Sequence, residues 1–507
     1  MVRSIDDPKQ AAKFLYRATF GPKQGDVDDF LTLGTDAWLD DQFTRSWRLH
    51  RPLAEAYANA SNDKLNENAR LSAWWNRSLN AGDQLRQRVA FALSQIFVVS
   101  SNGGPNSEGL VEYYDLLIKH AFGNFRDLLE AVTLSPAMGK FLTLEGSRAA
   151  NLDDNTFPDE NYAREVMQLF SIGLWQLQSN GMPKLDANGN KEPSYTQDDV
   201  EQLAKVLTGW RRDTYLTPMY ADDRRHDFSQ KEVLGQIFEE GQSPQDDLTQ
   251  AIDLLFYHRN TPMFISTLLI KRLTISNPRR SYIQRVSNIF KDNGKGVRGD
   301  MQAVIRAILL DQDVLDGKAM ANDQKGGSNE RNFGKVKEPL IAMANLCRAL
   351  KVKSNDPTRW WDFPATQNNF GQAPLRASSV FNFYQPDYAP KGEISDKQLC
   401  APEFAILSMD SMRRISNRMW TVILSHDSTD LKRWSWSRRQ YERKINNPDE
   451  YIGLLNECFF AGLMSEELAD YIREMLATMT AENREDDRKI NDTLFAIQCS
   501  PEFRCQE

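Results

Sequence analysis

Residues 195–210 read YTQDDVEQLAKVLTGW, and this stretch indicates the fold class of the chain. Thr196, followed three residues later by Asp199, has the pattern of a capping box, in which each side chain accepts a hydrogen bond from the backbone N–H of the other residue. Apolar residues then recur at spacings of three and four, at Val200, Leu203, Ala204 and Leu207. That period places them on one face of a helix, so we expect a helix that begins near Asp198 and stops at Gly209.

The same helical period runs through most of the chain. It recurs at about 8–20, 25–42, 83–99, 108–121, 125–133, 160–174, 246–257, 261–274, 280–291, 299–311, 336–350, 402–418, 464–478 and 484–498. Strand-length alternation is nearly absent, and the best hairpin signal is 183–195, where Asn188-Gly189 suits a type I′ turn. The sequence therefore predicts a mainly α fold, a large multi-helix globular domain with one small β-hairpin and long irregular aromatic-rich loops.

The length of the chain sets the domain count. At roughly 150 residues per domain, 507 residues amount to about three domain equivalents. We expect a single α-helical domain over 1–507, or two packed lobes, 1–210 and 245–507, joined by a polar loop region. The other irregular stretches are 101–107, 316–335 and 354–400.

Composition excludes several classes of protein. The chain carries 62 lysines and arginines against 70 aspartates and glutamates, a net charge of −8, so it lacks the basic excess that binds nucleic acid. No apolar run approaches the roughly 18 residues of a membrane span. The first twenty residues lack the apolar region of a signal peptide, so we expect either a cytoplasmic protein or a chain whose leader was removed.

The absence of several catalytic motifs disfavours the enzyme classes that depend on them. The chain contains no GxSxG, GxxxxGK[ST], GxGxxG or HExxH, which disfavours serine hydrolases, P-loop proteins, Rossmann dehydrogenases and zincins. Its five cysteines include no CxxC pair. They disfavour a disulfide scaffold, although Cys499 and Cys505 are close enough in sequence either to bridge or to remain thiols. A carboxylate-based mechanism remains, because pairs of Asp or Glu need no local motif.

The segment 160–174 offers a candidate site. Its polar residues recur at spacings of three and four and share one helix face: Asn161, Arg164, Glu165 and Gln168. Such a face can form the floor of a pocket, with Glu165 as acid or base and Arg164 and Asn161 orienting a polar substrate. The alternative is an ordinary solvated face with a local ion pair.

Histidine is scarce in this chain, with five residues, and no two have the spacing that marks a metal site. His226-Asp227 lies in a polar loop and is a candidate second titrating pair if the fold brings it to Glu165. The alternative is a solvated charged loop. His120 ends a predicted helix and is either a substrate-binding residue or a cation at the helix C-terminus.

The segment 354–400 combines large aromatic residues with amides and carboxylates. Flat apolar rings and hydrogen-bonding groups are what a sugar ligand needs. The candidate substrate-binding residues here are Trp360, Trp361, Asn382, Tyr384 and Asp387. The alternative is that the aromatic residues simply anchor a long loop to the core.

A weaker signal concerns calcium. Asp186, Asn188 and Asn190 alternate as oxygen ligands do in part of a calcium loop. The positions that a calcium loop reserves for its glycine and its final glutamate hold Lys191 and Gln197, so a hairpin turn is the preferred interpretation.

Seven blocks of sequence together resemble a known family. They are HAFGNFRDLLEAVTLSPAMGKFL (120–142), ENYAREVMQLFSIGL (160–174), YTQDDVEQLAKVLTGW (195–210), HDFSQKEVLG (226–235), GKVKEPL (334–340), GQAPLRASSVFNFYQPDYAP (371–390) and CSPEF (499–503). They look like the bacterial family known as domain of unknown function 1800. The resemblance implies a largely α-helical fold, export to the periplasm or the medium, and genes that often neighbour those of another family, domain of unknown function 1501. It implies no particular activity or cofactor.

Two functions follow from these patterns. The first is an enzyme that acts on a polar polymer, such as a surface glycan, through a carboxylate-based acid/base site. The second is a non-catalytic binding or assembly module whose partner is another surface or secreted protein, such as a member of family 1501.

Overall fold

The computed structural model describes residues 4–320, 332–356, 370–430 and 434–506. The fold is mainly α-helical. Its first helices are α1 (Pro8–Ala18), α2 (Asp26–Leu33), α3 (Thr35–Thr44), α4 (Arg51–Ala60), α5 (Glu67–Asn80), α6 (Gln84–Ser94), α7 (Ser107–His120), α8 (Phe125–Thr133), α9 (Pro136–Phe141), α10 (Asn161–Gln168), α11 (Gln197–Val206) and α12 (Pro244–Tyr257). The remaining ones are α13 (Thr261–Leu273), α14 (Arg280–Lys291), α15 (Met301–Leu309), α16 (Gln312–Leu315), α17 (Pro339–Ala349), α18 (Glu393–Asp396), α19 (Met409–Ile423), α20 (Arg439–Glu442), α21 (Pro448–Leu455), α22 (Glu466–Ala481), α23 (Asp486–Cys499) and α24 (Pro501–Arg504).

The capping box is present as predicted. The Thr196 side chain accepts a hydrogen bond from the backbone N–H of Asp199, and the Asp199 carboxylate accepts one from the N–H of Thr196. These two bonds satisfy donors that the first turn leaves open, so α11 starts where the pattern places it. The chain leaves the helix region at Gly209, where φ is +95°.

The helix predicted over 160–174 is shorter than its apolar period. Regular α10 ends at Gln168, because the N–H groups of Ile172 and Gly173 both bond to the carbonyl of Met167 and close a wide turn. Gly173 has φ +75°, and a Cβ there would lie 2.8 Å from the Phe264 ring. Glycine at this position therefore allows both the turn and the close approach of α13.

Two-stranded antiparallel ribbons complete the described fold. They are β1 (Trp210–Arg211) with β2 (Tyr220–Ala221), β3 (Lys231–Val233) with β4 (Gln236–Phe238), β5 (Lys335–Val336) with β8 (Cys505–Gln506), and β6 (Lys353–Ser354) with β7 (Trp434–Ser435). The predicted polar loop region 211–245 is thus organised into ribbons. The predicted hairpin at 183–195 is held by isolated bridges, Leu185 to Lys191 and Trp175 to Pro193.

Two wholly buried helices position the candidate site. Every residue of α6 and of α17 is buried. Helix α6 packs against α1, α3, α5, α7 and α13, and α17 packs against α5 and α19. The buried apolar side chains from Ile5 to Phe503 form one continuous cluster. Polar residues that flank α6 and α17 therefore lie deep in the protein and need partners there.

None of the helices within the described ranges combines the length and apolar character needed to cross a bilayer. The five cysteines all fall within those ranges and form no disulfide, and Cys499 and Cys505 are exposed.

Candidate functional site

A cavity of about 350 Å³, the aromatic cavity, lies between the end of α10, the segment 174–177, α13 and the segment 380–387. It is lined by Gln95, Ile96, Gln168, Leu169, Leu174, Trp175, Leu177, Gly181, Phe264, Thr267, Leu268, Lys271, Arg272, Val380, Phe381, Gln385, Pro386 and Asp387. Several large apolar side chains at this cavity remain partly exposed: Leu174 at 44%, Trp175 at 38% and Phe381 at 42%. The cavity thus offers ring faces to a ligand together with amides, a carboxylate and two cations.

Gln95 and Arg272 connect the cavity to a buried polar cluster, the floor cluster, formed by Arg88, Gln95, Arg272, Glu338, Gln372 and Tyr384. Gln95 follows the buried helix α6, and Glu338 precedes the buried helix α17. The Glu338 Oε2 atom accepts a hydrogen bond from the Gln95 side-chain amide and another, at 2.5 Å, from Gln372. The ends of two core helices are therefore joined side chain to side chain.

Arginine residues complete the floor cluster. The Arg272 guanidinium lies 4.6 Å from the centre of the Tyr384 ring, within the range of a cation–π contact. Arg88 donates to the backbone carbonyl of Arg272 at 2.9 Å. Lys335 pairs with Glu403 at 3.2 Å beside them, with both side chains buried. This buried region holds three cations against two carboxylates: Arg88, Arg272 and Lys335 against Glu338 and Glu403.

The electrostatics of the floor cluster keep Glu338 ionised. Burial alone would raise the pKa of Glu338, but Lys335, Arg272, Arg88 and the hydrogen bond from Gln372 together hold it below its usual range. Burial raises the pKa of Tyr384 well above its usual value, and the Glu338 charge adds to that effect. At neutral pH the floor cluster therefore presents a carboxylate beside a protonated phenol.

Several polar atoms of the floor cluster are buried without a hydrogen-bond partner among the described residues. They are Glu338 Oε1, Gln95 Oε1, Arg272 Nε, Arg88 Nε and Nη1, and Tyr384 Oη. Leaving such a group unpaired costs about 1–3 kcal/mol, so a concentration of them calls for an explanation. Two of these residues, Gln95 and Arg272, also line the cavity.

A larger depression of about 850 Å³ lies beside the same segment, 174–177. Gln176 lines this depression, whereas its neighbours Trp175 and Leu177 line the aromatic cavity. Its carboxylates already serve local structure, because Asp199 caps α11 and Asp253 accepts a 2.7 Å bond from Arg126. The smaller cavity is therefore the better candidate site.

The four polar residues predicted on the 160–174 face divide into two groups. Asn161 donates to Thr143 at 2.9 Å, and Arg164 pairs with Glu160 at 2.8 Å. Gln168 lines the cavity and accepts a bond from the Tyr195 hydroxyl at 3.2 Å.

Glu165 is half-buried between these two groups, and its Oε2 atom has no partner among the described residues. Burial raises the pKa of this carboxyl, and the nearby Arg164 opposes that shift. Glu165 thus retains a proton to higher pH than an exposed glutamate does.

His226 and Asp227, predicted as a pair, have different partners. His226 is buried, with Nδ1 2.9 Å from the carbonyl oxygen of Thr208 and Nε2 3.2 Å from Asp247 Oδ2. The same Asp247 oxygen accepts a 2.6 Å bond from the Lys231 ammonium. Asp227 instead accepts bonds from its neighbour Ser229. Within the described ranges, no hydrogen bond or ion pair joins Glu165 to His226 or Asp227.

The remaining predicted residues lie at several places. Tyr384 belongs to the floor cluster, Asp387 lines the cavity, and Asn382 is buried in the same segment with φ +65°. His120 is half-buried at the end of α7, where burial lowers its pKa. Trp360 and Trp361 lie outside the described residues.

The loop considered for calcium closes on itself. Asp186 Oδ1 accepts the backbone N–H groups of Asn188 and Asn190, both at 2.8 Å. This is the bonding of a turn, in agreement with the preferred interpretation. Across the part of the chain that the structure describes, no three His, Cys, Asp or Glu side chains are grouped to hold a metal ion.

Apart from Tyr384, the residues of the floor cluster were not predicted from the sequence, although one signal pointed to Glu338. Residues 335–338 read KVKE and lead directly into PLIAMANLCRA, a helix whose apolar character predicts burial on all sides. Charged residues that directly precede the N-terminus of such a helix are therefore buried with it.

Neither the comparison with curated proteins nor the comparison with solved structures gave a match. The family described as "Protein of unknown function (DUF1800)" matches residues 13–505, nearly the whole chain. The chain therefore belongs to that family.

Proposed function

We propose that the protein is an enzyme that acts on a glycan or a similar polar polymer bound in the aromatic cavity. The observation that carries the proposal is the joint lining of one cavity by partly exposed rings and by the polar floor at Gln95 and Arg272. Sugar rings present an apolar face and an edge of hydroxyls, and this lining offers a partner to each.

The binding roles follow from position. Trp175, Phe264 and Phe381 stack on the ligand, while Gln168 and Asp387 hydrogen-bond its hydroxyl groups. Tyr384 acts indirectly, because its ring holds the Arg272 guanidinium at the floor. Asn161 and Arg164 have no direct role, because their side chains already bind protein groups.

The acid/base role in this proposal belongs to Glu165, which does not itself line the aromatic cavity but lies one helical turn before Leu169, a residue of its wall. Enzymes that work on two carboxyl groups keep one protonated and the other ionised by giving them different surroundings. Burial raises the pKa of Glu165, and three cations lower the pKa of Glu338. Glu165 is accordingly the proton donor, and Glu338 is the fixed charge that positions Gln95. His226 takes no part in this scheme, because both of its ring nitrogens face protein groups.

A panel of oligosaccharides tests the proposal. Purified protein is incubated with neutral and acidic glycans, and new reducing ends are measured alongside equilibrium binding. We expect binding and release of reducing ends for at least one glycan class, and weaker binding in Phe381→Ala. Absence of both signals across the panel would contradict the proposal.

The second candidate function is a binding or assembly module. It is favoured by Leu174, Trp175 and Phe381, large apolar side chains that stay exposed around one cavity. Exposed apolar groups that cluster in this way are typical of surfaces that another protein covers. Glycan binding without turnover, or binding of a protein of family 1501 that Phe381→Ala abolishes, would favour this function over the enzyme.

A further inference from the structure

A separate depression of about 640 Å³, the arginine pocket, lies where residues 148–151 meet the end of β1 and the turn after β2. Four guanidinium groups and a single carboxylate line it: Arg148, Arg211, Arg224 and Arg225 with Asp222. It shares no lining residue with the aromatic cavity. In a chain of net charge −8, this local excess of positive charge is unusual.

Backbone hydrogen bonds hold the arginine pocket in shape. The N–H of Ala149 donates to the carbonyl oxygen of Arg225 at 2.7 Å, and the N–H of Asp222 donates to the carbonyl oxygen of Gly209 at 2.8 Å. Gly209 in turn donates to Ser147 at 3.0 Å. A Cβ at Gly209 would lie 3.2 Å from the Asp222 carbonyl oxygen, so the close approach depends on glycine. The arginines therefore project from a fixed scaffold.

Asp222 organises three of the guanidinium groups. Its side chain is 6% exposed, and it accepts from Arg224 at 2.9 and 3.2 Å. Arg211 approaches it at 3.4 Å and Arg225 at 3.6 Å. A guanidinium has five N–H donors and a carboxylate accepts about four hydrogen bonds, so three arginines around one carboxylate keep most of their donors for another acceptor.

Other acidic groups nearby leave the charge excess in place. Asp154 reaches Arg148 at 3.7 Å from outside the lining, and Asp223 follows Asp222 in the chain but does not line the pocket. Arg224 is 85% exposed, so its unused donors face solvent at the pocket. Guanidinium forks of this kind match the oxygens of tetrahedral anions.

We propose that the arginine pocket binds a phosphate group, either as inorganic phosphate or as the phosphate ester of a larger molecule. A phosphate dianion matches the charge excess and has enough oxygens to accept from two forks at once. A carboxylate carries a single charge and two oxygens, so it binds more weakly.

Isothermal titration calorimetry at low ionic strength tests this site, with three probes: inorganic phosphate, glycerol 3-phosphate and glucuronate. We expect binding of one or both phosphate probes, weaker binding of glucuronate, and loss of affinity as salt is added. Preference for inorganic phosphate identifies the free ion as the ligand, and preference for glycerol 3-phosphate identifies an ester. Glucuronate binding as tight as phosphate, or no binding of either phosphate probe, would overturn the proposal.

Variants locate the binding. In Arg211→Gln with Arg224→Gln, phosphate affinity should fall by about tenfold or more. The matched control is Arg413→Gln, an exposed arginine that pairs with Asp410 on α19 and should bind phosphate as the parent protein does. If the double variant unfolds, Arg224→Gln alone repeats the test at a largely exposed side chain. Equal binding by pocket variant and control would overturn the assignment. Glycan assays are unaffected by this result, so failure here is distinct from failure of the proposed enzyme function.

Discussion

Gln95 donates its side-chain amide to the carboxylate of Glu338, and this bond joins the end of α6 to the start of α17 across 243 residues of sequence. Both residues are buried, and Gln95 also lines the aromatic cavity. A contact in the helical core thus forms part of the proposed ligand site.

Removing the Glu338 charge should destabilise the protein. In Glu338→Gln, the cations Arg88 and Arg272 lose a buried carboxylate that compensates them, and we expect a loss of about 3–5 kcal/mol in the free energy of unfolding. Urea unfolding measures it. The control, Glu474→Gln at an exposed position on α22, should change stability by less than about 0.5 kcal/mol. A Glu338→Gln value as small as the control's would show that the carboxylate is not needed there.

The buried Lys231–Asp247 pair gives a second stability prediction. Asp247→Asn leaves the Lys231 ammonium uncompensated in the interior, and we expect a loss of about 3–5 kcal/mol. The double variant Lys231→Met with Asp247→Leu removes both charges and should unfold at higher urea than Asp247→Asn does. The reverse order would contradict a role for this pair as a mutually compensated ion pair.

His50 should make stability depend on pH. Burial lowers the pKa of His50 to about 3, although a hydrogen bond to Gln87 opposes the shift. Between its ordinary pKa of 6.5 and about 3, the unfolded chain binds a proton at His50 that the folded chain does not. Stability therefore falls as pH falls through this window, by up to about 1.4 kcal/mol per pH unit from this group.

A neighbouring carboxyl works in the opposite direction. Burial raises the pKa of Asp115 to about 6, so the folded chain binds a proton there that the unfolded chain does not, and stability gains as pH falls from 6 towards 3.8. Comparison of the parent with His50→Asn, by urea unfolding at pH 6.5 and 4.5, separates the two groups. The parent should lose more stability than the variant between these pH values, and equal losses would contradict the effect of His50.

The aromatic wall predicts a change in binding without a change in folding. Trp175→Ala and Phe381→Ala each remove a ring that is about two-fifths exposed. Ligand affinity for a glycan identified in the panel should fall about tenfold, while the free energy of unfolding changes by about 1 kcal/mol or less. Leu424→Ala, at a similarly exposed apolar residue of another surface, is the control. Affinity that falls equally in the control would remove the cavity as the binding site.

Local rules predicted the helices better than the site. The Thr196 capping box and the apolar spacing after it are encoded within a dozen residues, and α11 forms where they place it. The apolar period of 160–174 continues beyond the regular helix α10. Periodicity alone does not predict the wide turn that Gly173 allows, so the predicted helix was too long.

The site depends on pairings between distant segments. Gln168 was predicted from its spacing on a helix face, and Tyr384 and Asp387 from residue type; all three lie in or beside one cavity. The partners that give this cavity its floor, Glu338 and Arg272, come from other parts of the chain. No local pattern indicates that the end of α6 lies beside the start of α17, so the sequence did not predict this contact. His226 shows the same limit, since its acidic partner is Asp247 rather than the adjacent Asp227.

The proposed enzyme function depends on Glu165 as the proton donor to a glycan in the aromatic cavity, so the decisive experiment is to measure turnover by Glu165→Gln together with its Tm. We expect turnover of the best substrate to fall by about 100-fold or more while Tm stays within a few degrees of the parent value. Undiminished turnover would contradict this role of Glu165, and so would a fall in turnover that merely follows a large fall in Tm.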